Sequence, residues 1–265
     1  MRYVNIISNS NFESRKVTGK LIKLLKQNGF TPTTDFREDG ELTICIGGDG
    51  AFIKAVNRTG FSPIPIIGIN TGHLGFYQEI RPVNLNDFIK KYLEGNYFTE
   101  KLHLVGAEVF TKSRNFILHA INEIVLKSQH SKVIHLNVFV ERNHLEKFSG
   151  DGILVSTPSG STGYNFSSGG SIVYPTMEAI QITPLAPITS SAYRSLPNSM
   201  VIPGEFITTL VPEKRYTNSS LFVVDGMEYT YRNVKKVNFR IADKKINRIV
   251  LDRDNYWNNL KSKFL

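Results

Sequence analysis

An apolar run that ends in a glycine-rich turn constrains this chain more than any other feature of its sequence. The run Ile44–Ile46 is typical of a buried strand, and Gly47-Gly48-Asp49-Gly50 follows it directly. Glycines allow the backbone to turn tightly and to approach a ligand closely. Backbone N–H groups in such a turn, followed by the N-terminus of a helix, form an anion site. We therefore expect a parallel strand with a phosphate-binding turn at its carboxyl end.

Asp49 gives this turn a chemistry beyond anion binding. A carboxylate beside phosphates holds a metal, orients a hydroxyl or accepts a proton, which indicates phosphoryl transfer to an alcohol. The same four residues also suit an ordinary tight turn, because Gly and Asp are turn formers. Position favours the first interpretation, since open α/β sheets bind ligands where their strands end.

The N-terminal part of the chain alternates between apolar strands and amphipathic helices. Strands are expected at 3–8, 42–46 and 64–69, and helices at 51–59 and 85–93. Another helical face is formed by Val17, Leu21, Leu24 and Leu25, with Gly29 ending that helix. Strands separated by helices predict an α/β domain over residues 1–98 with a mostly parallel sheet.

The pattern changes to strands separated by turns over residues 99–250, which predicts an all-β, sandwich-like domain. Its expected strands are 105–111, 116–127, 133–141, 153–156, 200–210, 221–225 and 235–242. The tail 251–265 carries Tyr256, Trp257, Leu260, Phe264 and Leu265. Because burial of large apolar groups is favourable, we expect this tail to pack back on the body of the protein.

Composition indicates a soluble, cytoplasmic protein. The chain of 265 residues has one cysteine and six histidines, without zinc-type spacing. No run approaches the roughly 20 apolar residues that span a bilayer, so we expect no membrane partner. The net charge of +9 is concentrated between Arg232 and Lys263. Charged and apolar residues alternate there, which favours a solvated sheet face over a nucleic-acid surface.

A second turn and a polar pair are further candidate sites. Thr71–Phe76 follows a predicted strand at the same sheet edge and contains His73, a candidate hydrogen-bond donor to a bound phosphate. An ordinary strand-to-helix connection would have a similar composition. Asn122 and Glu123 interrupt an apolar strand, where a buried carboxylate is costly unless paired. Ribose hydroxyls bound there would explain both residues, and a polar pair at a sheet edge would be the structural alternative.

The segment Ser156–Asn165 is rich in small hydroxyl residues and contains Tyr164. Composition alone predicts a flexible loop. It lies, however, between Gly150-Asp151-Gly152 and Gly169-Gly170. Small hydroxyl groups beside an aromatic ring suit a nucleobase and its sugar, and stacking of this kind is worth about 1–3 kcal/mol per base in single-strand binders.

Taken in order, these pieces resemble the NAD kinase family over most of the chain. The resemblance implies a Rossmann-like N-terminal domain and a β-sandwich C-terminal domain, with the active site between them. It implies that ATP, with a divalent metal such as Mg²⁺, phosphorylates the adenosine 2′-hydroxyl of NAD to give NADP. No dedicated metal cage is evident in the sequence, which suits Mg²⁺ arriving on the ATP phosphates.

The resemblance also implies roles for single residues. Asp49 would accept the proton of the hydroxyl, and Asn122 and Glu123 would hold the adenosine portion of NAD. Phe76, Ser159, Thr162 and Tyr164 would surround the adenine. Asp151 and Ala186 would lie toward the nicotinamide, and Asp225 and Gly226 near the ribose and phosphates. The other residues expected in nucleotide binding are Gly47, Gly48, Gly50, His73, Gly163, Asn165, Ser167 and Ile188.

Two positions depart from the family pattern. Gly163 stands where alanine is usual, and Ser149 stands where similar sequences often carry a basic residue. A phosphate contact there is either missing or supplied by Lys147. The resemblance further implies a homo-oligomer, expected to be a tetramer of paired dimers, in which Asp151 reaches a neighbouring subunit.

Two alternatives remain at this stage. A lipid kinase of the diacylglycerol or sphingosine type would share the Gly47–Gly50 turn, although no amphipathic membrane stretch is evident. A non-catalytic polyanion-binding protein would use the basic region and leave Asp49 unexplained. Sequence does not separate ATP from polyphosphate as donor, or NAD from NADH as acceptor.

Overall fold

A computed structural model describes residues 1–72, 75–129, 132–190 and 194–265. Its α-helices are α1 (Phe12–Gln27), α2 (Asp49–Arg58), α3 (Leu85–Leu93), α4 (Tyr164–Ser167) and α5 (Asn255–Phe264). Its strands are β1 (Arg2–Ser8), β2 (Phe30–Thr33), β3 (Leu42–Gly47), β4 (Ile66–Asn70), β5 (Gln78–Ile80), β6 (Phe98–Thr111), β7 (Asn115–Ala120), β8 (Glu123–Ser128), β9 (Ile134–Val140), β10 (Asn143–Gly150), β11 (Gly152–Ser156), β12 (Ala179–Leu185), β13 (Met200–Pro203), β14 (Thr208–Pro212), β15 (Ser220–Val224), β16 (Met227–Tyr231) and β17 (Val234–Val250). Short 3₁₀ helices lie at Pro82–Asn84, Ser159–Thr162 and Lys214–Tyr216.

The chain divides into two compact units. Unit 1 comprises residues 1–101 and 245–265, and unit 2 comprises residues 102–244. The sequence-based boundaries, 98/99 and 250/251, differ from the observed boundaries, 101/102 and 244/245, by three and by six residues. The end of β17 falls in unit 1 because Arg248 pairs in register with Ile66 of β4.

Unit 1 contains a parallel sheet in the order β4-β3-β1-β2, with β5 and the end of β17 beside β4. In its register Val4 lies opposite Leu42, and Cys45 lies opposite Gly68. The predicted α/β arrangement is confirmed. β4 begins at Ile66 rather than at the predicted residue 64, because Pro65 has no N–H to donate to a neighbouring strand.

The helices of unit 1 follow from local signals. α1 buries Val17, Leu21 and Leu25 against the sheet, as their spacing predicts. Oδ1 of Asn11 accepts a hydrogen bond from the N–H of Ser14 at 2.8 Å and caps its N-terminus. α2 begins at Asp49, two residues earlier than predicted, directly after the glycine turn.

Unit 2 consists of antiparallel strands in two sheets. One sheet has the order β13-β12-β11-β8-β15-β16, and the other joins β10-β9-β14-β17. Leu126 and Phe222 of the first sheet share one buried cluster with Val138, Phe148 and Leu210 of the second. Apolar faces of two sheets packed on each other form the core of a sandwich, so the predicted β-rich architecture is confirmed.

Two predictions in unit 2 are wrong in detail. The expected strand 116–127 is broken into β7 and β8, because the N–H groups of Ile121 and Asn122 bond to a side chain instead of a neighbouring strand. The expected strand 200–210 is likewise two strands, β13 and β14, separated by a turn at Gly204.

Ser156–Asn165 is an ordered segment and not the flexible loop that its composition predicts. It folds into the 3₁₀ helix Ser159–Thr162 and the start of α4. Ser161 and Asn165 are fully buried. Oγ1 of Thr157 donates a hydrogen bond to the carbonyl of Ile121 at 2.6 Å. The small polar side chains are therefore used to bond the segment to the body of unit 2.

The basic region lies largely on β17. Val237, Phe239 and Ile241 are buried, whereas Lys236 and Arg240 are exposed. This alternation matches the solvated sheet face that was predicted. Among the helices that the structure describes, none has the length and apolar character needed to cross a bilayer.

Candidate active site

The carboxylate of Asp49 is the candidate catalytic group of unit 1, and two backbone N–H groups hold it. Oδ2 accepts a hydrogen bond from the backbone N–H of Phe76 at 2.9 Å, and Oδ1 accepts one from the N–H of Tyr77 at 3.0 Å. The side chain is 27% exposed. The carboxylate is therefore held in one orientation, and part of it stays open to another group.

Gly75 makes this arrangement possible. A Cβ atom at this position would lie 2.0 Å from Oδ1 of Asp49, so any other residue would displace the carboxylate. The two glycine turns singled out in the sequence thus meet at Asp49. His73, expected in the second turn, lies outside the described residues.

The first glycine turn leaves room beside the start of α2. Gly47 is required by close packing, because a Cβ atom there would lie 2.4 Å from that of Ala51. A Cβ atom at Gly48 or Gly50 would meet nothing within 4 Å. Gly48 occupies the N-cap position without a side-chain hydrogen bond to the helix. The positive end of α2 therefore faces space that an anion can fill.

The ring of Phe76, expected near adenine, packs against α5 within unit 1. It is 9% exposed. The centroids of the rings of Phe264 and Tyr256 lie 5.9 Å and 6.0 Å from its own. These contacts show how the aromatic tail packs on unit 1.

Two polar residues of α5 reach the surroundings of Asp49, and sequence reasoning missed both. Nζ of Lys263 lies 3.7 Å from Oδ2 of Asp49. Nδ2 of Asn259 donates a hydrogen bond to the carbonyl of Gly75 at 2.9 Å, across 184 residues of sequence. No local pattern could have found such contacts, since they depend on where the tail docks.

In unit 2 the carboxylate of Asp225 accepts hydrogen bonds from the backbone at and before Asn122. Its oxygens accept hydrogen bonds from the N–H of Ile121 at 3.0 Å and from that of Asn122 at 2.8 Å. The N–H of Asp225 donates to the carbonyl of Glu123 at 3.1 Å. Asp225 and Gly226 have φ angles of 47° and 81°, so the turn they form is sharp. Three predicted site residues and Gly226 are thus brought together.

Glu123 is a buried carboxyl group. It is 7% exposed, and Oε2 has no hydrogen-bond partner among the described residues. Burial, with the nearby Asp225 as a smaller cause, raises the pKa of Glu123 to about 8. Glu123 therefore carries a proton at neutral pH and has an O–H group to donate.

The segment from Ser159 to Gly163 lies directly against Asn122 and Glu123. A Cβ atom at Gly160 would be 2.2 Å from the carbonyl oxygen of Asn122. One at Gly163 would lie 3.6 Å from Nδ2 of Asn122 and 3.7 Å from Oε2 of Glu123, although only 3.2 Å from the carbonyl of Gly160. Oγ of Ser159 is buried and, among the described residues, without a partner. Oε2 of Glu123 and Oγ of Ser159 are thus two buried polar atoms suited to a ligand.

The remaining residues of this segment differ in exposure. Tyr164 is 51% exposed, Ser167 is exposed and Thr162 is half-buried. Asn165 is turned inward, where its Oδ1 accepts a hydrogen bond from Oγ1 of Thr183 at 2.6 Å and its amide contacts that of Gln181. Asn165 thus has an internal role in holding the segment.

Asp151, Ala186 and Ile188 lie at the other end of β11. β11 pairs with β8 so that Ser156 is opposite Glu123, whereas Gly152 is opposite Lys127. Five strand residues span about 13 Å. Asp151 is exposed, its N–H bonds to the carbonyl of Leu185, and Ala186 is exposed with a φ angle of 44°. Within one copy of unit 2, these residues are therefore remote from Glu123.

The departure at Ser149 is accommodated inside unit 2. Its Oγ lies 2.6 Å from Nδ1 of His135, and both residues are buried. Nζ of Lys147 pairs with Oε1 of Glu213 at 2.6 Å. Ser149 therefore faces the interior, and Lys147 has an acidic neighbour.

Comparison with protein families gives two matches that together cover most of the chain. Residues 6–97 match the ATP-NAD kinase N-terminal domain, and residues 121–250 match the ATP-NAD kinase C-terminal domain.

Similar proteins carry the same description. A protein from Finegoldia magna described as NAD kinase is 47% identical, over 100% of this chain and 98% of its own length. An NAD kinase from Latilactobacillus sakei is 30% identical, over 99% of this chain and 97% of its own length.

Two solved structures share the fold. Yeast NADH kinase complexed with NADH superposes with a TM-score of 0.85 at 18% identity, covering 99% of this chain and 87% of that one. An NAD kinase from Archaeoglobus fulgidus in complex with ATP gives a TM-score of 0.77 at 22% identity, covering 99% of each chain.

Proposed function

The chain belongs to the ATP-NAD kinase family, and on this premise we propose that it transfers the terminal phosphoryl group of ATP to the adenosine 2′-hydroxyl of NAD, with Asp49 accepting the hydroxyl proton. The observation that carries the assignment to Asp49 is its position. Its carboxylate is fixed by two N–H groups at the end of β3 and beside the open N-terminus of α2.

The role of Asp49 follows from the chemistry of the acceptor. A neutral alcohol is a poor nucleophile, and a carboxylate within hydrogen-bond reach takes its proton as the new P–O bond forms. Each carboxylate oxygen has two acceptor sites, and the N–H groups of Phe76 and Tyr77 occupy one on each oxygen. A further acceptor site remains for the hydroxyl.

The phosphates of ATP are assigned to the glycine turn. Gly48 and Gly50 have no side chains to block it, and α2 presents its positive end. Much of the catalysis of phosphoryl transfer is positioning and charge stabilisation, which such a turn supplies.

Mg²⁺ is assigned to the nucleotide and not to a protein cage. Across the described ranges, no three His, Cys, Asp or Glu side chains come together as a metal site. Mg²⁺ commonly keeps waters and binds substrate phosphates with one or two carboxylates, so this donor set is compatible with metal that enters with ATP. When bound, the metal offsets the negative charge of the phosphates.

The adenosine portion of NAD is assigned to unit 2. Glu123 offers a donor at neutral pH, and Ser159, which precedes the Gly160 that lies against Asn122, offers a buried hydroxyl. Tyr164 follows Ser159 closely in the sequence. It is exposed and has a ring face on which a base can stack. Asn122, held in place through its N–H by Asp225, completes the group.

The assembly is assigned from the resemblance to the family. The resemblance implies that Asp151, Ala186 and Ile188 serve the nicotinamide end of NAD bound by a neighbouring copy, and their position at the end of β11 remote from Glu123 is compatible with this. The protein is then a homo-oligomer, a tetramer of paired dimers, and acts in the cytoplasm without a nucleic-acid or membrane partner.

Asp151→Ala tests this assembly. We expect the variant to bind NAD more weakly with little change for ATP, because only the dinucleotide extends to Asp151. Light scattering and an activity titration against protein concentration give the oligomeric state. A fully active monomer would contradict the shared site.

The activity itself is tested with two acceptors. Purified protein incubated with ATP, Mg²⁺ and NAD is expected to form NADP, measured by an NADP-specific dehydrogenase. Diacylglycerol is the control acceptor, because a lipid kinase would share the glycine turn. Folded protein that phosphorylates diacylglycerol and makes no NADP would overturn the proposal. Polyphosphate in place of ATP, and NADH in place of NAD, then define donor and acceptor preference.

A further inference from the structure

The C-terminal helix contacts one of the two peptide groups that orient the carboxylate of Asp49. The carbonyl of Gly75 and the N–H of Phe76 belong to the same planar peptide unit. Nδ2 of Asn259 donates to this carbonyl at 2.9 Å, and the N–H donates to Oδ2 of Asp49 at 2.9 Å. Asn259 therefore bonds one side of the peptide and Asp49 the other.

We propose that Asn259 is a positioning residue for Asp49 that acts through the Gly75–Phe76 peptide. This inference rests on the proposed role of Asp49 as the proton acceptor. Asn259 is 7% exposed, so water does not readily replace its amide as the donor to the carbonyl. Rotation of the peptide would move the N–H away from Oδ2 of Asp49.

The absence of a side chain at Gly75 brings the Gly75–Phe76 peptide into direct contact with the carboxylate of Asp49. The hydrogen atoms of Gly75 face the carboxylate, and a Cβ atom would overlap Oδ1 of Asp49. The carboxylate and the peptide are therefore in direct contact, and a small rotation of the peptide shifts the carboxylate. Misplacement of a reacting group by about 1 Å can cost on the order of 10²-fold in rate.

Other residues of α5 hold the helix to the same segment. The rings of Phe264 and Tyr256 pack on that of Phe76, and Nζ of Lys263 lies 4.9 Å from the centre of the Phe76 ring. The same ammonium group lies 3.7 Å from Oδ2 of Asp49. Asn259 thus acts from a helix that is docked at several points on this loop.

Asn259→Asp is the principal test, because it keeps the shape of the side chain and removes the donor. We expect kcat for NADP formation to fall at least tenfold, toward the ~10²-fold of a misplaced group, with KM for ATP and NAD within about twofold. Asn258→Asp is the matched control, because Asn258 is exposed on the same helix and its substitution introduces the same charge. It is expected to retain wild-type kcat.

A double-mutant cycle separates positioning from a general structural effect. In an Asp49→Asn background, Asn259→Asp should lower the residual rate by less than about twofold, because the group that it positions is already inactive. An undiminished loss in that background would overturn the proposal, as would wild-type kcat in folded Asn259→Asp. If Asn259→Asp does not fold, Asn259→Ala removes the donor without adding a charge and is judged by the same criteria.

A readout independent of activity keeps this proposal distinct from the proposed function. Amide hydrogen exchange of Phe76, followed by NMR, is expected to accelerate in Asn259→Asp and to stay unchanged in Asn258→Asp. Absence of NADP formation by the wild-type protein would count against the proposed function alone. Unchanged exchange at Phe76 in Asn259→Asp would count against the positioning role alone.

Discussion

Asp49 of unit 1 and Glu123 of unit 2 are two candidate-site carboxyl groups in opposite surroundings. In unit 1 the buried carboxylate of Glu79 pairs with Arg248, and the partly exposed carboxylate of Asp49 accepts two N–H groups. In unit 2 the carboxyl group of Glu123 is buried with one oxygen unpartnered among the described residues. Asp49 is thus held as an acceptor, whereas Glu123 keeps a proton to donate, next to Asp225 of unit 2, whose carboxylate accepts two N–H groups as that of Asp49 does.

This difference matches the tasks proposed for the two units. A group that takes a proton from a hydroxyl must present free acceptor positions, as Asp49 does. A group that recognises sugar or base acceptors gains from a proton to donate, and burial supplies that proton at Glu123 by raising its pKa to about 8. The same side-chain chemistry is therefore directed to two functions by its surroundings.

The largest expected effect tests the carboxylate of Glu79, which is paired with Arg248. Arg248→Met leaves Glu79 buried beside Leu251 and Asn255 without its cation. Loss of one partner of a buried ion pair costs about 3–5 kcal/mol, and we expect a lower free energy of unfolding by that amount in urea titrations. Lys244→Met, on an exposed position of β17, is the control. Equal stability of the two variants would show that Glu79 does not depend on Arg248.

A second substitution tests the fit around Asp49. Gly75→Ala places a methyl group where Oδ1 of Asp49 lies, so we expect kcat to fall on the order of 10²-fold from a displaced carboxylate. Steady-state kinetics with ATP and NAD measure it. Gly19→Ala, where a Cβ atom meets nothing within 4 Å, should leave kcat unchanged. Wild-type kcat in Gly75→Ala would mean that the position of the carboxylate is not critical.

A smaller effect sharpens the description of Glu123. The pKa is near 4.5 in the unfolded chain and about 8 in the folded protein, so the folded state keeps this proton to higher pH. The corresponding stability is complete below about pH 4.5 and is lost as pH rises through about 8. Between about pH 6 and about pH 9, Glu123→Gln should therefore lose about 2–3 kcal/mol less stability than the wild type.

Thermal unfolding at the two pH values gives this difference directly. Glu228→Gln, on the exposed β16, is the matched control and should follow the wild type. Identical pH dependence of Glu123→Gln and the wild type would show that Glu123 ionises in both states alike.

Local patterns predicted the parts of the fold that depend on neighbouring residues. The face of α1 formed by Val17, Leu21 and Leu25 follows from helical periodicity. The alternation of buried Val237, Phe239 and Ile241 with exposed Lys236 and Arg240 follows from the period of a strand. The flexible loop predicted from composition at Ser156–Asn165 is wrong, because hydroxyl groups of this segment bond to distant carbonyls such as that of Ile121.

The site was predictable only in part for the same reason. The glycine turn and the pair Asn122-Glu123 are local motifs, and the structure places each in a candidate site. Asn259 and Lys263 could not be found, since their contacts with Gly75 and Asp49 arise from docking of α5. The break between β7 and β8 also depends on Asp225, about a hundred residues away.

The substitution Asp49→Asn tests the central claim most directly. Asparagine keeps the shape of the side chain and does not accept the proton, and general-base contributions are about 10²–10⁴-fold in rate. We expect kcat for NADP formation to fall within that range, while titration calorimetry still detects NAD binding. Turnover within about threefold of the wild type would contradict the assignment of Asp49 as the proton acceptor.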